Sequence, residues 1–472
     1  MTSYLANADP FSSGTSGPIE RKTLNPSKTF SREIGLLRTL AIHLERRPLP
    51  YERLTQAALR REGLGHVRET ATGVIAIRMP GHHALTDLTD CVLDQIPGLE
   101  RGAKYADVEA ELFNFIESFV DREPSSIGNI DAEVLFARLA NWFAVRAMPR
   151  RVFVPCLITR TPAPRFEIGP VTFEFSDRIA TSDFYPESRG DEGIFDRHVF
   201  DEIVQWMRDE EAHWLARVHV DGCEQKRAEE IAELAVDLVI VALQLAQPYL
   251  DTRTMARLDA RRGTSHKRTL SEADGYFSGG WARKEPGMSI GQGTLPEIMR
   301  QAAPVFTAVG NVVCSFATGS LRLPVLERAW CDAAYWFHQG LAESIDTIAI
   351  TKLETALEVL VRAESSKGSE RRMFEILSAF FGLEPDDPIA PGSTLTARQF
   401  ARNVVRDRSR ILHGTWSTLN VRGIDRAGME GFVSTVLRTA VIELEAYTHL
   451  AQRSDDIDHF LDWVGHRRAT SL

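Results

Sequence analysis

Apolar residues recur at three- and four-residue intervals along five successive stretches in the last third of this 472-residue chain. No other feature constrains its fold as strongly, because that rhythm puts each apolar set on one side of a helix. The first stretch opens at Pro324 and carries Leu326, Ala329, Trp330, Ala333, Phe337 and Leu341. The second, 345–362, sets Ala349, Leu353, Ala356, Leu357 and Leu360 on one face. The third covers 371–381 and stops at Gly382 and the proline-bearing loop 384–391. The fourth begins with Thr396-x-x-Gln399, a capping-box pattern, and runs to His413 before Gly414. The fifth, 426–450, carries Met429, Phe432, Val433, Val436, Ala440, Leu444 and Tyr447. Short loops between long helices predict an antiparallel all-α bundle over 321–472.

Upstream the pattern is mixed. Residues 1–30 are rich in Ser, Thr, Pro and Gly and read as a disordered lead-in. Helical spacing appears at 34–44, 108–120, 134–148, 199–218 and 229–245, and strand-like runs at 74–79, 152–158 and 171–175. The two do not alternate as a parallel sheet requires, so 31–320 is expected to be an α+β region. Residues 262–300, poor in apolar groups and rich in glycine, read as loop. The expectation is a multidomain chain: an α+β N-terminal region followed by an all-α bundle.

Composition removes several classes of function. A net charge of -10 excludes a basic surface over the whole molecule, so any contact with RNA must be local. Cys91, Cys156, Cys223, Cys314 and Cys331 are scattered without a C-x-x-C pair. That argues against a zinc ribbon or a disulfide framework and for reduced thiols in the cytoplasm. The polar start does not read as a signal peptide. The apolar run 231–246 is too short to span a bilayer and carries Glu233 and Asp237, so no membrane association is expected. Glu210, His213 and His219 are too few for a di-iron set, and Gly291-Gln292-Gly293 lacks the rest of a dinucleotide fingerprint. No metal and no cofactor is expected.

The fourth stretch holds the chemistry. Over 396–416, Arg398, Arg402, Arg406, Arg408 and Arg410 face only Asp407. At about 100° per residue, Phe400, Val404, Val405, Ile411 and Leu412 form an apolar arc with Arg408 in its middle. His413 points the other way, near Arg402 and Arg406. A guanidinium cannot shed its charge, so Arg408 must be paired, with Glu354 or Glu358 of the second stretch, or lie in an interface.

The segment Arg408-Ser409-Arg410-Ile411-Leu412-His413-Gly414 resembles the R-x(4–6)-H signature of the HEPN superfamily, and its R-S-x-x-x-H-G form resembles the Apea-like branch. The helix KLETALEVLV over 352–361 is similar to the L-x-x-A-L-E helix that precedes the motif there, and the helix with Trp330 and Trp336 is similar to the first helix. The resemblance covers about 321–455. Ser409 departs from the Asn, Asp or His that many HEPN nucleases carry after the arginine.

The resemblance implies a metal-independent endoribonuclease that leaves 2′,3′-cyclic phosphate ends, with Arg408 and His413 as its catalytic pair. Ser409 and Glu358 would support that pair. Arg402, Arg406 and Arg410 would hold RNA phosphates, and Trp416 would stack a base or pack locally. Arg408 and His413 diverge by about 140° on one helix, which points to a homodimer that assembles the site from two copies. By analogy the chain would be a bacterial anti-phage, abortive-infection effector, a toxin acting on host or phage RNA such as tRNA. Residues 31–320 would then sense an unidentified trigger. The rival readings are a non-catalytic HEPN dimerisation or partner-binding module, and an N-terminal enzyme for which the bundle is an oligomerisation platform.

Overall fold

A computed structural model describes residues 30–47, 63–70, 73–185, 192–247, 252–260, 265–363, 366–417 and 426–471. The expected disordered lead-in therefore lies, but for Phe30, outside the described residues. The chain divides into two compact units, 1–145 and 146–472.

In the first unit, helix α1 (Ser31–His43) runs straight into strand β1 (Leu44–Arg47). β1 joins β2 (Leu64–Thr70) and β3 (Gly73–Arg78) in an antiparallel sheet of order β1-β3-β2. Val74, Ile75, Ala76 and Ile77 are all buried, as an uninterrupted apolar run in a central strand should be. Helices α2 (Met79–Gln95), α3 (Leu99–Gly102), α4 (Tyr105–Ile116) and α5 (Asn129–Arg146) complete the unit. Phe30 stacks on Phe136 of α5 at 5.2 Å.

The second unit is built around a five-stranded antiparallel sheet of order β5-β6-β7-β4-β8. Its members are β4 (Met148–Leu157), β5 (Phe166–Ile168), β6 (Val171–Phe175), β7 (Trp214–Cys223) and β8 (Ala256–Arg257). The sequence predicts one helix over 199–218. Instead α6 (Glu192–Asp209) stops before Glu211, whose φ of 56° breaks the helix, and β7 follows. Trp214, Ala216 and Val218 enter one apolar cluster while Leu215 enters another with Phe200, Val204 and Met207 of α6. The strand alternates from Ala216 to Asp221, with Ala216, Val218 and Val220 buried and His219 and Asp221 exposed, but its apolar start at Trp214 and Leu215 continues the helical spacing of α6 and hid the change of period.

Helix α7 (Gln225–Ala246) is buried on all sides from Leu238 to Leu245, apolar but for Gln244, because it is enclosed by other elements. Sheet strands pack on it, and so do α9 (Ala303–Thr318) and α10 (Pro324–Ala342). The remaining helices are α8 (Thr294–Gln301), α11 (Asp346–Leu360), α12 (Ser366–Ile376, extended by a wide turn over Leu377–Phe381), α13 (Ala397–Leu412), α14 (Arg426–Thr448) and α15 (Ile457–Ser471). The chain is thus mixed α/β at first and helix-rich toward its end. All five predicted bundle helices form, and α15 is an addition.

The expected boundary at 320/321 does not separate compact units. One apolar cluster runs from Val154 in β4 to Val464 in α15, because α7 and α9 bury against both the sheet and the bundle. The expected loop 262–300 is also corrected. It contains a hairpin of β9 (Ser265–Ala273) and β10 (Tyr276–Lys284), closed by Asp274 and Gly275 with φ of 52° and 79°. Two positive φ values make the turn whose twist suits a two-residue hairpin loop. Among the described residues, no helix is long and apolar enough to cross a membrane.

Candidate active site

Helix α13 starts and stops where its sequence dictates. Thr396 accepts a hydrogen bond from the Gln399 N–H at 3.3 Å, and the Gln399 side chain accepts one from the Thr396 N–H at 3.1 Å. At the other end Gly414 takes a φ of 68°, and the N–H groups of Thr415 and Trp416 donate to the Arg410 carbonyl. Ala397, Ala401, Val404 and Asp407 are the buried positions. Leu412, expected in the apolar arc, is 59% exposed. The buried residues step mainly by three, so the covered side has turned away from Leu412 by the last turn.

Arg408 meets Glu358 of α11, with Nη1 2.5 Å from Oε2; the two side chains are 28% and 9% exposed. This is one of the two partners expected for it. The other, Glu354, sits one turn earlier on α11, fully buried, and among the described residues neither of its carboxyl oxygens has a hydrogen-bond partner. Burial first, and then the neighbouring Glu358 and Asp407, push its pKa up to about 10, while Arg408 pulls the other way. Glu354 is therefore a neutral acid near pH 7. Asp407, also buried, pairs with Arg406 at 3.2 Å.

Arg408 and Glu358 line a cavity of about 540 Å³ together with Arg328 and Asp332 of α10, Thr355 of α11 and Arg362 just past its end. Burial raises the pKa of Asp332 and Arg328 opposes that rise. Sequence reasoning missed Arg328, Asp332 and Arg362.

His413 is not in this cavity. It caps α13, exposed, its N–H donating to the Ser409 carbonyl at 3.0 Å, and its imidazole makes no hydrogen bond or ion pair with a described residue. Ser409 is half-buried. Arg402, exposed, pairs with Glu370 at 3.2 Å. Arg410 lies 5.4 Å from the centre of the Trp416 ring, so Trp416 packs on a guanidinium outside the core. Arg402, Arg406, Arg410 and His413 follow one another at helical spacing along an exposed stripe. Within one chain, then, Arg408 is gathered with Glu358 while His413 stands at the end of the arginine stripe.

Comparison with known proteins returned no match: no family model, no curated protein and no solved structure is significantly similar to this chain.

Proposed function

We propose that the chain is a metal-independent endoribonuclease of the HEPN type, acting as a homodimer, with Arg408 and His413 as its catalytic pair. The observation that carries this reading is the exposed His413 at the end of an exposed arginine stripe on a bundle helix whose Arg408 is already fixed by an acid. The 2′-hydroxyl of the substrate loses its proton to an imidazole and attacks its own phosphorus. The bond to the 5′-oxygen breaks, that oxygen takes up a proton, and a 2′,3′-cyclic phosphate remains. A histidine suits proton transfer near neutral pH, and a fixed guanidinium stabilises the charge that grows on the phosphoryl oxygens. Glu358 holds the arginine, while Arg402, Arg406 and Arg410 offer charge to flanking phosphates. An arginine of one copy and a histidine of the other would complete each site. The cellular role proposed is an anti-phage effector that cleaves host or phage RNA, such as tRNA.

The test is RNA cleavage in EDTA by wild type and His413→Ala. The variant should melt within a few degrees of wild type and leave RNA intact. A fully active His413→Ala protein, or cleavage that needs added magnesium, would overturn the reading. One observation favours a second reading, a non-catalytic dimerisation or partner-binding module: the Arg408–Glu358 pair already accounts for an arginine in an apolar arc. That reading requires His413→Ala to change nothing.

A further inference from the structure

The cavity between α10, α11 and α13 has a feature that an ion pair between Arg408 and Glu358 does not explain. Helix α11 ends at Leu360, and Arg362 then adopts a φ of 51°. Its N–H donates to the Val359 carbonyl at 3.2 Å, and the next N–H, of Ala363, donates to Glu358 at 2.9 Å. This left-handed position closes many helices and is ordinarily glycine, because a Cβ there crowds the following carbonyl. The chain instead places its longest cation at that point, and Arg362 lines the cavity. Among the described residues the guanidiniums of Arg362 and Arg328, both exposed, make no hydrogen bond or ion pair, although both border the same space as Arg408. Arg362 thus keeps a conformation that glycine would adopt without strain, and its exposed guanidinium borders the cavity, an arrangement that a ligand contact would explain.

Charge and size narrow the ligand. Three guanidiniums face the carboxylates of Asp332 and Glu358, a surplus of one positive charge, and Glu354 behind them is neutral and cancels none of it. Guanidinium forks match phosphate oxygens in pairs. A volume of about 540 Å³ is far larger than inorganic phosphate and suits a ligand of nucleotide size.

We propose that this cavity binds a phosphate ester of nucleotide size, with Arg362 and Arg328 as phosphate ligands beside Arg408. The proposal rests on the ribonuclease reading only in making that ester a nucleotide of the RNA substrate. A free nucleotide has the same chemistry.

Binding of AMP and of a single-stranded RNA blocked as 2′-O-methyl ether should be measured for wild type, Arg362→Gly and Arg328→Ala, alongside Tm. Arg362→Gly is expected to melt at or above the wild-type temperature, because glycine is at ease at this φ, yet to bind at least tenfold more weakly. Arg328→Ala should weaken the same ligand. Loss of RNA affinity makes the ester part of the substrate; loss of AMP affinity alone makes it a free nucleotide, and either outcome supports the site. Unchanged binding by Arg362→Gly overturns it, as does a Tm fall of many degrees that reveals a structural arginine. Cleavage separates the two ideas. A wild type that binds AMP through Arg362 but cuts no RNA loses the ribonuclease reading and keeps the site. A cleaving enzyme indifferent to Arg362→Gly keeps the reading and loses the site.

Discussion

The protonation of Glu354 bears directly on stability. Its carboxyl titrates near 4.5 in an unfolded chain and near 10 in the folded one, raised chiefly by burial. Below pH 4 it is neutral in both states and neither favours nor opposes folding. As pH rises above 4.5 the unfolded chain gives up this proton and the folded chain keeps it, so stability falls by up to about 1.4 kcal/mol per pH unit until the folded group also ionises. Glu354→Gln removes the titration. The variant should match wild type near pH 4 and melt several degrees above it at pH 8; equal Tm values at pH 8 would show that Glu354 is charged and compensated. Arg408→Ala should act in the opposite sense. It leaves Glu358 without its partner beside a buried acid, which costs about 1–3 kcal/mol, readable as a lower midpoint in urea. Much of this site is legible in sequence: an arginine inside an apolar arc must find an acid, and Glu358 was one of two within reach. The partnerless Arg362 was not, because its role depends on a φ value that only the end of α11 reveals.

Elements announce themselves when their ends carry their own hydrogen-bond partners. The capping box of α13 is an instance, and Thr396→Ala should lower stability by about 1 kcal/mol, a Tm fall of about 1–3 °C with no change in the far-UV spectrum. An unchanged Tm would mean that the other bonds at this end, from Ala397 N–H to Asp387 and from Arg398 N–H to Pro385, suffice alone. The β9–β10 hairpin shows the converse. Leu270, Tyr276, Phe277 and Trp281 are between 64% and 82% exposed, so the ribbon lacks the one-sided burial that writes alternation into a sequence. Only Asp274-Gly275 marked it, and that dipeptide was submerged among other glycines of 262–300. Strand β7 does alternate from Ala216 to Asp221, but its apolar start at Trp214 and Leu215 continues the helical spacing of α6 and hid the change of period. A period can be read only where one side is wet and the other dry.

At the scale of the molecule, the bundle is not a detachable domain. Several interactions join residues before 320 to residues after it. His338 of α10 is buried and meets Gln244 of α7 at 3.1 Å, and its Nε2 lies 3.9 Å from the Asp237 carboxylate on the same helix. Asn311 of α9 donates to Glu445 of α14 at 2.8 Å, and Arg253 pairs with Glu430 at 2.7 Å. Val309, Val312 and Val313 of α9 are fully buried in the cluster that also holds Trp330 and Val441. A chain cut at 320/321 would bare that apolar surface on both pieces and strand His338 without Gln244, losses set against the roughly 5–15 kcal/mol by which domains are stable. A fragment of residues 146–472 keeps every one of these contacts. It should melt cooperatively and retain whatever RNA cleavage the full chain shows, whereas 321–472 should aggregate or lack a cooperative transition. Calorimetry and limited proteolysis of the two fragments decide this. A monodisperse 321–472 with a sharp transition would restore the boundary that the sequence suggested and make α7 and α9 a separate layer rather than the floor of the bundle.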